Sequence, residues 1–210
     1  MAAQERHKQE IPRVSMTDEE IEAANLEPAP QLNSDIKLME YTSEWAVVFE
    51  AEAARMGDRL SALPHRVEHT GSTSVPGLPA KPIIDILLIV PDSADESAYV
   101  PALESIGYTL AIREPDWYEH RVLRRPALGP SAESVNLHVL STGCPEIERM
   151  LLFRDWLRVH TSDRDLYART KRDLSQRTWT YMQHYADAKS EVIADVLERA
   201  GQSTRAHHES

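Results

Sequence analysis

The sequence holds one cysteine in 210 residues, Cys144. A lone cysteine excludes an intrachain disulfide framework and any zinc site built from several thiolates. Long apolar runs are missing too, and no window approaches the roughly 18 residues that a membrane-spanning helix needs. The N-terminal stretch lacks the basic start and apolar run of a secretory signal. With neither a signal nor disulfides, the expected location is the cytoplasm. Positive charge is scarce: 23 Lys and Arg stand against 34 Asp and Glu, a formal net charge of −11. Such a balance excludes nonspecific nucleic-acid binding, whose affinity grows with the number of Lys and Arg contacts to phosphate. A small phosphorylated ligand in a local basic pocket remains open. The 41% hydrophobic content is low for a globular chain and points to polar tails.

Residues 1–35 carry eight acids and three bases, together with Pro12, Pro28 and Pro30. Their few large apolar residues cannot offset the entropy of ordering, so a disordered acidic tail is expected. A short helix from Thr17 is compatible with this, because Glu20 stands in capping-box position. Residues 201–210 are polar and are expected to form a second disordered tail.

Between these lies one domain, 36–200, that reads as α+β. Ser43 can cap a helix whose Trp45, Val48, Phe49, Met56, Leu60 and Leu63 share one face. Ile83–Val90 is nearly continuous and apolar, the pattern of a strand buried on both faces. Asp95 opens a candidate helix closed by Gly107. Tyr108–Ile112, Tyr118–Leu123 and Ser134–Leu140 are candidate strands, the last alternating cleanly between Val135, Leu137, Val139 and Asn136, His138. From Pro145 onward the chain is expected to be helical in two segments, broken near Thr161–Asp163.

Two features carry chemistry. Asp85 sits inside the most apolar run of the chain. A carboxylate there either caps a neighbouring loop or pairs with Lys81 or an Arg, or it faces a cleft as a metal ligand. Thirteen residues earlier, Gly71-Ser72 follows a short strand-like segment, Val67–Thr70. Glycine lets the backbone approach a ligand, and successive N–H groups in such a turn form an anion nest to which Ser72, Thr73 and Ser74 add hydroxyls. Lys81 reads either as a solvated loop charge or as a point charge for phosphates. His69 is a loop brace or a ligand, and His138 is a strand histidine or a base. Arg121, Arg124 and Arg125 read as a solvated edge or as anion contacts. Arg154, Asp155 and Arg158 read as an ion-paired helix face.

The string Glu68-His69-Thr70-Gly71-Ser72-Thr73-Ser74-Val75-Pro76-Gly77-Leu78, followed by Ala80-Lys81-Pro82-Ile83-Ile84-Asp85-Ile86, resembles the signature of the GrpB-like family. That family is placed in the nucleotidyltransferase superfamily, with the DNA polymerase beta-like fold. Tyr41…Trp45…Phe49, Asn136–Val139, Leu152–Arg158, Tyr167…Lys171 and Tyr181…Lys189 resemble other pieces of that family, so the likeness spans 36–200. It implies a mixed sheet flanked by helices, with further helices at the C-terminus. It also implies Gly71 and Ser72 at the phosphates of a nucleoside triphosphate, assisted by Lys81 and Lys171, with the Thr73 and Ser74 hydroxyls and Arg124 as further candidate phosphate contacts read from the residues themselves. In the superfamily an Asp-x-Asp/Glu pair on the next strand holds divalent metal, Mg²⁺ or Mn²⁺. Here the first acid is Asp85, the second position is Leu87, and His138 stands where a third acid is expected. Glu68 and His69 are the residues that could complete the ligand set. The implied activity is metal-dependent nucleotidyl transfer from a nucleoside triphosphate to an unknown acceptor, with Asp85 and His138 catalytic. The alternative is a noncatalytic nucleotide or phospholigand sensor that keeps the cradle without the carboxylate pair.

Overall fold

A computed structural model describes residues 11, 14–32, 35–127 and 133–208. The other parts of the two expected tails, and residues 128–132, lie outside the described residues. Five strands form one mixed sheet: β1 (Arg66–Thr70), β2 (Ile83–Val90), β3 (Thr109–Glu114), β4 (His120–Arg125) and β5 (Ser134–Ser141), in the order β1-β2-β5-β4-β3. β2 and β5 run parallel, and every other neighbouring pair is antiparallel. The helices are α1 (Asp18–Ala24), α2 (Glu44–Arg59), α3 (Val100–Glu104), α4 (Pro145–Val159), α5 (Thr161–Ser175), α6 (Met182–Asp187) and α7 (Ser190–His208). The architecture is α+β, as the alternation of patterns in the sequence predicts.

Strand parity divides the sheet into a sealed face and a working face. Ile84, Ile86, Leu88 and Val90 of β2 join Leu123, Val135, Leu137 and Val139 on one side. There they meet Trp45 and Met56 of α2, with Tyr99, Leu103 and Tyr108. Each such buried aliphatic side chain stabilises the fold by roughly 1.5–3 kcal/mol. The opposite face carries Asp85, Leu87 and Ile89 of β2, the even residues of β5, and His120, Val122 and Arg124 of β4. One end of it is closed by an apolar cluster of Leu87, Ile89, Tyr118, Leu140, Cys144 and Ile147. The other end, at Asp85, opens into a cavity walled by the C-terminal helices.

Several elements differ from expectation for local reasons. β4 begins at His120 because Tyr118 and Glu119 adopt φ of 58° and 52° and form the turn. The helix expected from Asp95 is a 3₁₀ turn followed by the five-residue α3, with Pro101 in its first turn. The C-terminal region divides into α4 to α7 rather than two segments.

Residues 14–32 depart from the expectation of a structureless tail. Thr17 and Glu20 do form a capping box, with Glu20 N–H donating to Thr17 Oγ1 at 3.3 Å and Thr17 N–H donating to Glu20 Oε2 at 2.8 Å. Beyond this, Ile21 and Ala29 bury themselves against Tyr181. Leu26 N–H donates to Ala111 O on β3 at 3.0 Å, and Leu32 N–H donates to Thr180 O at 2.9 Å. The segment thus straps β3 to the α6 region. Composition averages the segment as polar, whereas Met16, Ile21 and Ala29 converge on one aromatic ring, Tyr181. At the other end α7 continues helical to His208. No helix among the described residues is long and apolar enough to cross a membrane.

Candidate functional site

Strand register places Thr70, Asp85, Asn136 and Arg124 side by side across four strands. All four line a cavity of about 340 Å³. The next row holds Leu87, His138 and Val122. Asn136 Nδ2 donates to Asp85 Oδ1 at 3.2 Å, and Thr70 Oγ1 donates to the Asp85 carbonyl at 3.2 Å. Burial pushes the Asp85 carboxyl above the usual carboxylate range, while Lys81, Asn136, Lys189 and Lys171 pull it back down.

Gly71 supplies the turn that meets this acid, with φ +66° and ψ −171°, a region essentially restricted to glycine. Ser72–Ser74 then form one 3₁₀ turn. Its hydroxyls have separate tasks. Ser74 Oγ donates to Gly71 O at 2.6 Å, and Thr73 Oγ1 donates to Ile83 O at 3.3 Å. Ser72 lines the cavity. α4 holds this loop from behind. Arg158 Nε and Nη2 donate to Ser74 O at 3.0 and 2.9 Å. Arg154 Nη1 donates to Glu68 Oε2 at 2.8 Å and to His69 O at 3.0 Å. The arginines expected on an ion-paired helix face therefore fix the position of the Gly-Ser turn.

Facing the acid is a cluster of cations. Lys81, Lys171, Lys189 and Arg124 all line the cavity, and among the described residues none of the four is in an ion pair. Lys171 is 3% exposed; its ammonium donates to Pro79 O at 2.5 Å and lies 5.5 Å from the Tyr167 ring centroid. Lys189 lies 4.1 Å from the Tyr185 ring centroid, and Lys81 5.7 Å from it. Burial drives each lysine below its ordinary pKa. Lys171 is pushed well below it, with further repulsion from Lys189 and Lys81. Lys189 falls to about 7 through burial and the charge of Lys81. Lys81 is lowered by burial and partly restored by Asp85, and burial alone lowers Arg124. The Tyr185 hydroxyl is buried with no hydrogen-bond partner among the described residues, and burial pushes it up to about 12.

The four expected metal ligands do not converge. Glu68 is paired with Arg154 and Arg66. His69 stacks on Phe49 with centroids 4.7 Å apart, and its Nε2 lies 3.1 Å from Thr73 Oγ1. Burial, with Arg158 and Arg154 nearby, lowers His69 to about 4, so it is neutral at pH 7. Both residues lie away from the cavity, as does Ser74. Leu87, in the position of the second acid, is fully buried beneath the apolar cluster. Among the described residues no group of three or more His, Cys, Asp or Glu is placed to hold a metal ion. The donor set does not fit a two-ion centre of the kind the resemblance implies. Arg121 and Arg125 also turn away from the cleft, Arg121 to Glu96 at 2.6 Å and Arg125 to Glu52 at 3.1 Å.

The cavity thus brings together Gly71, Ser72, Thr73, Lys81, Asp85, Arg124, His138 and Lys171 from the sequence reading. It adds Glu114, His120, Asn136, Tyr185 and Lys189, which that reading left out of the site. The Tyr181…Lys189 string was a signal for the last of these. Nothing in the sequence signalled that Glu114 and His120 would reach His138.

A sequence model described as GrpB protein matches residues 35–199. UPF0157 protein BH1888 of Halalkalibacterium halodurans is 55% identical over 184 residues, covering 88% of this chain and 92% of its own. The crystal structure of conserved protein GrpB from Enterococcus faecalis matches at TM-score 0.68 and 32% identity, covering 80% of this chain and 99% of that one. The Cid1 poly(U) polymerase in its MgGTP-bound form matches at TM-score 0.50 and 12% identity, over 66% of this chain and 44% of that one. This last likeness is one of fold.

Proposed function

The chain belongs to the GrpB family, and we propose that its cleft binds the phosphate groups of a nucleoside triphosphate. The carrying observation is the charge imbalance: Lys81, Lys171, Lys189 and Arg124 outnumber the two acids on the cavity wall, Asp85 and Glu114, and Glu114 is paired with His120. Lys171 donates to Pro79 O and Lys81 to Met182 Sδ, but none of the four has a carboxylate in an ion pair among the described residues, and partly desolvated cations without counter-charge are unfavourable in a folded protein. A polyphosphate supplies the missing negative charge and accepts hydrogen bonds from all of them. The Gly71–Thr73 turn offers its backbone and the Ser72 hydroxyl to the same anion. Ile21, Ala29, Val122 and Met150 give the cavity an apolar side, suited to the organic part of such a ligand. A cavity near 340 Å³ is of small-ligand size.

Nucleotidyl transfer to an acceptor hydroxyl is the second reading. The fold is that of nucleotidyltransferases, and the observation favouring transfer is the presence of His138 on the cavity wall with a hydrogen-bonded histidine behind it. No step is routed through a two-ion centre, because Leu87 replaces the second acid.

Calorimetric titration of the full chain with ATP, GTP, CTP, UTP and inorganic triphosphate tests the binding reading. Saturable binding of at least one nucleotide is expected, with inorganic triphosphate competing. Ser72→Ala should weaken binding by roughly 1–3 kcal/mol, the penalty of removing one partner of a buried polar contact. Absence of binding by any of these polyphosphates would overturn the reading.

A further inference from the structure

Three strands each contribute one side chain to a line of hydrogen bonds on the cleft face. Glu114 ends β3, His120 begins β4 and His138 lies within β5. The left-handed turn at Tyr118 and Glu119 sets His120 directly opposite Glu114 in the register. Glu114 Oε2 is 2.6 Å from His120 Nδ1, and His120 Nε2 is 3.1 Å from His138 Nδ1. The two imidazoles lie within 10° of parallel, and the Trp117 ring meets His120 edge-on at 5.2 Å. All three side chains of the line border the cavity that carries the lysines.

The chemistry of the three groups gives the line a direction. An ionised carboxylate only accepts hydrogen bonds, so the proton of a neutral His120 sits on Nδ1. Its Nε2 then holds a lone pair and must accept from His138. His138 is therefore held with its proton on Nδ1 and its lone pair on Nε2. If Nε2 takes up a proton, the resulting imidazolium is stabilised by Glu114 through His120. A base oriented by a second group, itself oriented by a third, is the general arrangement of an activated nucleophilic site.

We infer that Glu114, His120 and His138 form a proton relay, in which His138 Nε2 accepts the proton of a water or alcohol attacking a phosphoryl group held by the lysines. The inference rests on the triphosphate reading above. The O–H bond of the nucleophile breaks and its proton goes to His138 Nε2. A new O–P bond forms, and the bridging P–O bond breaks with its electron pair on the leaving pyrophosphate after attack at the α-phosphorus, or on the leaving nucleoside diphosphate after attack at the γ-phosphorus. That developing charge falls to Lys81, Lys171 and Lys189. His138 is the catalytic residue, and His120 and Glu114 are positioning residues.

The test begins with imidazole NMR on the full chain labelled with ¹⁵N-histidine at neutral pH. His138 should carry its proton on Nδ1, the minor tautomer of a free imidazole. His120→Phe keeps a ring beside Trp117 but removes the acceptor, and His138 should revert to the Nε2–H form. A His138 already protonated on Nε2 in the unaltered chain overturns the relay whether or not the variant folds, as does a tautomer unchanged in His120→Phe. The second arm measures formation of ADP or pyrophosphate from ATP in water and with added alcohols. His138→Gln should lower turnover about 100-fold, with ATP binding retained in calorimetry. Glu114→Gln should lower turnover less and shift its pH profile. A chain that binds ATP yet never turns it over overturns the relay and leaves the binding site standing. A chain that binds no polyphosphate defeats the binding reading first.

Discussion

A Cβ atom placed on Gly71 would lie 2.2 Å from Oδ2 of Asp85 and 2.7 Å from its Cβ. The backbone of the turn thus rests on the acid itself, which brings Ser72 and the carboxylate into one hollow. Gly71→Ala meets both this clash and a backbone region closed to alanine. The backbone strain alone is of order 1–3 kcal/mol, which lowers Tm by several degrees in a chain this size. Triphosphate binding should be lost with it. Gly57 of α2 is the control, since nothing lies within 4 Å of an added Cβ there. Gly57→Ala should stabilise by about 0.5–1 kcal/mol. Equal thermal shifts in the two variants would contradict the account.

Ligand affinity should fall as pH rises from 6 to 9. Lys189 titrates near 7 in the free protein, lowered by burial and Lys81, and a bound polyanion favours its charged form. Binding above neutral pH therefore takes up protons. Calorimetry in buffers of different ionisation enthalpy should detect that uptake at pH 8. An affinity that stays constant over this range, with no buffer dependence, would exclude Lys189 from the anion site.

His69 makes the fold acid-sensitive. Burial, with Arg158 and Arg154, lowers it to about 4 from an ordinary 6.5. The unfolded chain takes the proton first, so stability is full above about 6.5 and declines as pH falls toward 4. The decline from this group is of order 3 kcal/mol. Urea melts of the wild type and His69→Gln between pH 4 and 7 should show a shallower slope for the variant. Parallel slopes would mean that His69 is not the group responsible.

Periodicity in the sequence was enough to place β2, β5 and α2, because an apolar strand and an alternating strand leave direct signatures. The Gly71–Asp85 contact was legible from the order of a turn and a buried acid. The capping box at Thr17 was visible, whereas the docking of Ile21 and Ala29 on Tyr181 was not. That docking joins residues about 150 positions apart, and composition carries no such pairing. Lys189 and Arg154 looked like surface charges for the same reason: only the packing of α4 to α7 on the sheet turns them inward. The Glu114–His120–His138 line depends on the register of three strands and on a left-handed turn at Tyr118 and Glu119. A single sequence does not report register.

The most direct measurement compares Lys189→Met with the wild type in two readings, Tm without ligand and affinity for inorganic triphosphate. Lys189 is a half-buried lysine with no ion-pair partner among the described residues, and desolvation holds it below its ordinary pKa, at about 7. A methionine of similar length should therefore raise stability by about 1 kcal/mol or more, seen as a higher Tm, while triphosphate affinity drops at least tenfold, or about 1.4 kcal/mol. A lower Tm with triphosphate affinity unchanged would show that the lysine serves the fold rather than an anion.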